Sequence, residues 1–112
     1  MPKDFKVYLD DIIESAAKIK SYIVGMSYED FLNDDRTIDA VLRNLGIIGE
    51  AAKRIPENIR QQSSDIEWYK VIGLRNILIH QYSGVDLDIV WQIITQKLPL
   101  FEQQIKNILE TT

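Results

Sequence analysis

The sequence predicts an all-α fold, an antiparallel bundle of four to five helices. Three observations lead there. Apolar residues recur at steps of three and four along most of the chain, the period of a helix with one buried stripe. No segment shows the strict alternation of a half-buried strand. Glycine, proline and short polar clusters cut the chain into helix-length pieces joined by short connections.

Phe5, Leu9, Ile12, Ala16, Ile19 and Ile23 form the first stripe, predicting a helix from about Asp4 to Val24 with Gly25 as its stop. Ser27-Tyr28-Glu29-Asp30 reads as an N-terminal cap for a short turn carrying Phe31 and Leu32. A second long helix starts near Asp34 or Asp35 and runs to Ile55, ended by Pro56. Its inward stripe is Ile38, Val41, Leu42, Leu45, Ile48, Ala52 and Ile55. Gly46 and Gly49 lie inside it, each costing roughly 1 kcal/mol of helix stability relative to alanine. Such a pair suits close approach of another backbone, within the subunit or across a dimer.

Residues 56–62 predict one further turn with Pro56 at its first position. Asp65 is placed to cap a third helix from about Ile66 to Ile79 or His80. After the break at Gln81-Tyr82-Ser83-Gly84, Asp86 caps a fourth, with Leu87, Val90, Ile93, Ile94 and Leu98 inward. Pro99 either kinks that helix or begins a fifth, carrying Phe101, Ile105, Ile108 and Leu109.

At 112 residues the chain is the size of one domain, 1–112. With 46% hydrophobic and 27% charged residues it has an ordinary globular composition. The absence of cysteine excludes disulfides, thiolate metal sites and thiol catalysis. No apolar run reaches the roughly 20 residues of a membrane span, and Met1-Pro2-Lys3-Asp4 lacks a secretory apolar stretch. A cytoplasmic location is the expectation. The net charge of −4 argues against a nucleic-acid coat protein, whose affinity rests on phosphate neutralisation, but leaves room for a small local basic site.

The segment from Arg75 to Tyr82 has the densest chemical content, including the only histidine. Histidine changes charge near neutral pH, and arginine clamps phosphate through two parallel hydrogen bonds. Arg75 falls on the apolar stripe Trp68, Ile72, Arg75, Ile79, Tyr82, where an unpaired guanidinium is costly. Asn76 and His80 share the adjacent face. On a continuous helix Arg75 and His80 differ by about 140°, so they converge only through arginine's length and fraying at the helix end. A histidine in a last turn is also often just a cap beside a local Arg–Asn pair.

Asp39, Arg43, Glu50 and Arg54 make a second polar stripe, read first as surface ion pairs and second as Arg43 and Glu50 lining a cleft that buttresses Arg75. Asp10-Asp11, Asp34-Asp35 and Asp86 with Asp88 suit helix starts better than a metal, so no metal or other cofactor is expected. Trp68 and Trp91 read as core or dimer-interface residues. Lys53, Arg54, Arg60 and Lys70 are the best basic residues for a local RNA-facing patch.

Arg75-Asn76-x-x-x-His80-x-Tyr82 resembles the RX4HXY signature of the HEPN family in its HepT branch. The likeness extends over Arg43-Asn44-Leu45-x-Ile47-Ile48-Gly49-Glu50-Ala51, over Trp68-x-x-Val71-Ile72-Gly73-Leu74-Arg75-Asn76, and over Val85-Asp86-x-x-x-Val90-Trp91. The resemblance implies a homodimer that brings two Arg–His motifs into one cleft. It implies a metal-independent endoribonuclease, the toxin of a type VII toxin–antitoxin pair, with Arg75 and His80 catalytic and Asn76 supporting. It also implies a cognate minimal nucleotidyltransferase antitoxin that transfers AMP to Tyr82. The alternative is a non-catalytic helical subunit that helps such a nucleotidyltransferase bind nucleotide or substrate, which the acidic charge suits.

Overall fold

A computed structural model describes residues 4–79 and 84–112. His80, Gln81, Tyr82 and Ser83 lie outside that range, as do the side chains of Leu78 and Ile79. All regular structure among the described residues is helical: α1 (Lys6–Ile23), α2 (Tyr28–Leu32), α3 (Asp35–Arg54), α4 (Glu57–Gln61), α5 (Trp68–Gly73), α6 (Asn76–Ile79), α7 (Leu87–Gln92) and α8 (Leu98–Thr111), with a π turn over Ile93–Lys97 joining the last two. None of these helices is long and apolar enough to cross a membrane.

α3 is the hub. It packs along α1 and touches α2, α5 and α6, while α1 also carries α8. The stripes expected from periodicity are the ones that meet. Leu9, Ile12, Ala16 and Ile19 of α1 are buried against Val41, Leu42, Leu45, Ile48 and Ala52 of α3, with Ile105 and Ile108 of α8 closing the core. Each large aliphatic side chain removed from water in this way contributes roughly 1.5–3 kcal/mol.

Local signals set the helix ends. Gly25 adopts φ +77°, the left-handed conformation a glycine stop requires. Ser27 Oγ accepts from the Asp30 amide at 3.1 Å while Asp30 Oδ2 accepts from the Ser27 amide at 3.0 Å, a reciprocal capping box. Asp34 accepts from the Thr37 amide at 3.1 Å and Asp86 from the Asp88 amide at 2.9 Å. The backbone hydrogen bond from Thr37 holds the Asp34 carboxyl below its ordinary range. Two of the three acidic pairs thus contribute helix caps.

Three expectations are corrected. The third helix is not continuous from Ile66 to Ile79: α5 ends at Gly73, and α6 begins at Asn76. Across the junction the amides of Leu74, Arg75 and Ile77 donate three residues back, to Val71, Ile72 and Leu74, which tightens the backbone. Asp65 does not cap α5; Glu67 precedes it without a side-chain cap, and Asp65 Oδ2 instead accepts from Gln104 Nε2 at 2.9 Å. Pro56 is the N-cap of α4 rather than its first helical residue.

Pro99 lies in the first turn of α8, so of its two alternatives the second holds: a further helix starts there. A proline cannot donate to the carbonyl four residues back and its ring crowds that carbonyl. The chain widens by one residue just before it, with the Leu98 amide donating to Ile93 O, and continues as α8.

Glu102 was not singled out by sequence, yet it is buried. It sits four residues after Leu98 and three before Ile105, on the inward face, so its spacing carried the signal. Lys20 Nζ on α1 reaches its Oε1 at 2.8 Å, and Lys106 Nζ lies 4.0 Å from Oε2. A buried carboxylate that loses its partner is costly, whereas replacing both partners by apolar groups is close to neutral. Lys20→Ala should therefore destabilise the fold by about 1.5 kcal/mol, the scale of a charged hydrogen bond. Lys20→Met combined with Glu102→Leu should recover most of that loss, both read from urea unfolding midpoints.

Candidate active site

The site is organised by a contact between two backbones. Gly49 of α3 faces the α5–α6 junction so closely that an added methyl would overlap the Arg75 amide nitrogen and come within 2.9 Å of the Leu74 carbonyl carbon. Of the two alternatives for the paired glycines, Gly49 serves a contact within the subunit. Gly46 is buried on the same helix. Any side chain at position 49 would hold the junction away from α3, so the glycine fixes where Arg75 leaves the backbone.

The Arg75 side chain then lies beside Glu50, the next residue of α3. Its Nε is 3.6 Å from Glu50 Oε2, with the two side chains 30% and 41% exposed. That separation is an ion pair but exceeds hydrogen-bond length. Nε itself is shut off from solvent and makes no hydrogen bond among the described residues. The side chain's exposed area therefore belongs to its other atoms.

Of the residues expected at the site, Arg75 and Glu50 are brought together, and Asn76 opens α6 at an exposed position. Arg43 is exposed on α3, two turns before Glu50, and forms no ion pair among the described residues. The expected placement of His80 and Tyr82 falls outside the described residues. The 140° separation assumed one continuous helix, and the break at 74–75 removes that premise.

The four basic residues proposed as an RNA-facing patch are mostly engaged locally. Arg54 Cζ stands 5.9 Å over the Tyr8 ring, Arg60 Nε donates to Ile55 O at 3.1 Å, and Lys70 pairs with Glu67 at 3.0 Å. The Glu67 hydrogen bond pushes the Lys70 ammonium pKa up. Lys53 is exposed near the end of α3.

Both tryptophans are packing residues. The Trp68 indole donates to Arg60 O and Ser63 O, both at 3.1 Å, tying the start of α5 to the end of α4. Trp91 packs on Phe31 with ring centroids 5.1 Å apart. A groove of about 370 Å³ lies between α3, α5, the π turn and α8, lined by Leu45, Ile48, Val71, Ile93 and Phe101. Leu45 and Ile48 lie on the opposite side of α3 from Glu50, given about 100° per residue, so this groove is separate from the arginine.

A family model described as HepT-like ribonuclease matches residues 12–108. The chain belongs to the HepT-like ribonuclease family. A relative from Caldanaerobacter subterraneus subsp. tengcongensis, named provisionally as an RNase, is 38% identical over 103 residues, 92% of each chain. Another from Methanocaldococcus jannaschii, named in the same way, is 39% identical over 111 residues, 98% of this chain and 92% of its own. A Thermococcus cleftensis protein named provisionally as ribonuclease HepT is 35% identical over 108 residues, 96% of this chain and 98% of its own. No solved structure matches significantly. The Gly49, Glu50 and Arg75 cluster lies inside the matched span.

Proposed function

We propose that this HepT-like protein is a metal-independent endoribonuclease and the toxin of a toxin–antitoxin pair. The observation that carries the reading is the seating of Arg75. A guanidinium at the α5–α6 junction is held at a backbone contact beside a carboxylate, with part of the side chain left open to solvent. RNA brings its own nucleophile, so such a site needs only phosphate binding and proton transfer.

In the proposed reaction His80 takes the proton from the 2′-hydroxyl, whose oxygen attacks the adjacent phosphorus. The P–O5′ bond breaks, and the departing 5′-oxygen receives a proton from a second imidazole. The products are a 2′,3′-cyclic phosphate and a 5′-hydroxyl. Each positioned proton transfer is worth about 10²–10⁴-fold. Arg75 holds the phosphate and stabilises the charge on its oxygens, and Asn76 orients His80 or donates to a phosphate oxygen.

The chain has a single histidine, and a homodimer that shares one cleft supplies the second. Arg43 and Glu50 line that cleft. A cognate nucleotidyltransferase antitoxin transfers AMP to Tyr82, adding bulk and negative charge where RNA phosphate must sit. The intact motif from Arg75 to Tyr82 favours this toxin reading over that of a non-catalytic partner subunit.

Partner-free protein, shown by intact mass to carry no adduct on Tyr82, should cleave cellular RNA in EDTA and leave cyclic phosphate ends. Absence of cleavage under those conditions would transfer the assignment to the non-catalytic subunit.

A further inference from the structure

We propose that Glu50 is a positioning residue, which orients the Arg75 guanidinium by engaging its Nε side and leaves the terminal nitrogens for the RNA phosphate. The inference rests on the ribonuclease reading and adds a division of labour within the site.

A guanidinium offers donors along two edges, one including Nε and the other formed by the two terminal nitrogens. An arginine that must grip phosphate with its terminal fork needs something else to define its rotation. Here two consecutive residues of α3 act on it from opposite ends. Gly49 seats the Arg75 backbone, and Glu50 places Oε2 3.6 Å from Nε. Nε is withdrawn from solvent and has no hydrogen bond among the described residues, so water cannot satisfy it. Glu50 is 41% exposed, which leaves its carboxylate room to close the remaining distance to hydrogen-bond length when phosphate fixes the other edge. Since both side chains are partly exposed, the pair contributes little to global stability. Its value lies in direction: a displaced phosphate-binding group costs rate far more than it costs folding.

Glu50→Gln keeps the shape of the side chain and removes its charge. Glu50→Asp keeps the charge and withdraws the carboxylate by one methylene. Both variants should keep the wild-type thermal midpoint, lower kcat for RNA cleavage in EDTA by about ten- to a hundredfold, and change KM by less than about twofold. Wild-type kcat in either variant would overturn the proposal. So would full rescue by aspartate, which would mean that Glu50 supplies only negative charge. A lower KM in Glu50→Gln would also overturn it, because Glu50 would then be competing with RNA for Arg75.

A second measurement does not depend on cleavage. In proton–nitrogen correlation spectra recorded at saturating inorganic phosphate, the Arg75 Nε–H should exchange slowly with water in the wild type and markedly faster in both variants. Equal exchange in all three proteins would overturn the pairing itself. Inactive wild-type protein with a protected Nε–H would instead refute the ribonuclease reading while leaving the Glu50–Arg75 pairing standing.

Discussion

His80→Ala should lower the rate of RNA cleavage by at least about a hundredfold, the lower end of what one general acid–base group contributes. The loss should appear in kcat, because the imidazole moves a proton in the transition state and adds little to ground-state binding. Arg75→Lys should be nearly as severe even though it retains the charge. Lysine is a point charge with no planar fork and cannot make two parallel bonds to a phosphate. It also has no counterpart of Nε at the place Glu50 faces. Single-turnover cleavage of a defined RNA in EDTA measures both variants. Wild-type rates in Arg75→Lys would remove arginine from phosphate binding.

The second large effect is on the scaffold. Alanine at position 49 gains about 1 kcal/mol of helix propensity, but its methyl would overlap the Arg75 amide nitrogen and approach Arg75 Cα to 3.0 Å. The obstructing atoms are backbone and cannot rotate aside, so the overlap belongs at the upper end of overpacking costs, about 3 kcal/mol. Gly49→Ala should therefore destabilise the protein by about 2 kcal/mol, the difference of those terms. It should also push the α5–α6 junction off α3 and weaken RNA cleavage. Gly73 is the contrast: a methyl there meets nothing within 4 Å. Gly73→Ala should be neutral or stabilising by up to about 1 kcal/mol. Urea unfolding of the two variants side by side tests this, and equal stability would mean that the Gly49 contact is absent in solution.

Most of the fold was legible because its causes are local. The stripes of α1 and α3 follow from their period, and the capping box at Ser27 from side chains within three residues of each other. Asp86 was legible as a cap for the same reason. The break in the third helix was not. Residues 66–79 contain no proline, and their one glycine, Gly73, is tolerated inside helices. The junction tightens beside a distant segment, Gly49, that lies 26 residues upstream of Arg75. Glu102 was overlooked because an acidic residue is ordinarily solvated, and its partner Lys20 is on the first helix.

The sequence by itself determined that this protein is helical and where most helices begin and end, and its motif pointed to the residues proposed to carry its chemistry. Composition, period and motif are properties of the chain alone. Its likeness to HepT-like ribonucleases, first read from the same residues, is matched over 12–108. Only the tertiary structure decided that the paired glycines include an intrasubunit backbone contact, and that Glu50 rather than Arg43 stands beside Arg75. Those facts depend on how close α3 and the α5–α6 junction approach and on the rotation of each helix about its axis. Both are set by packing between segments remote in the chain, which periodicity along one helix does not encode.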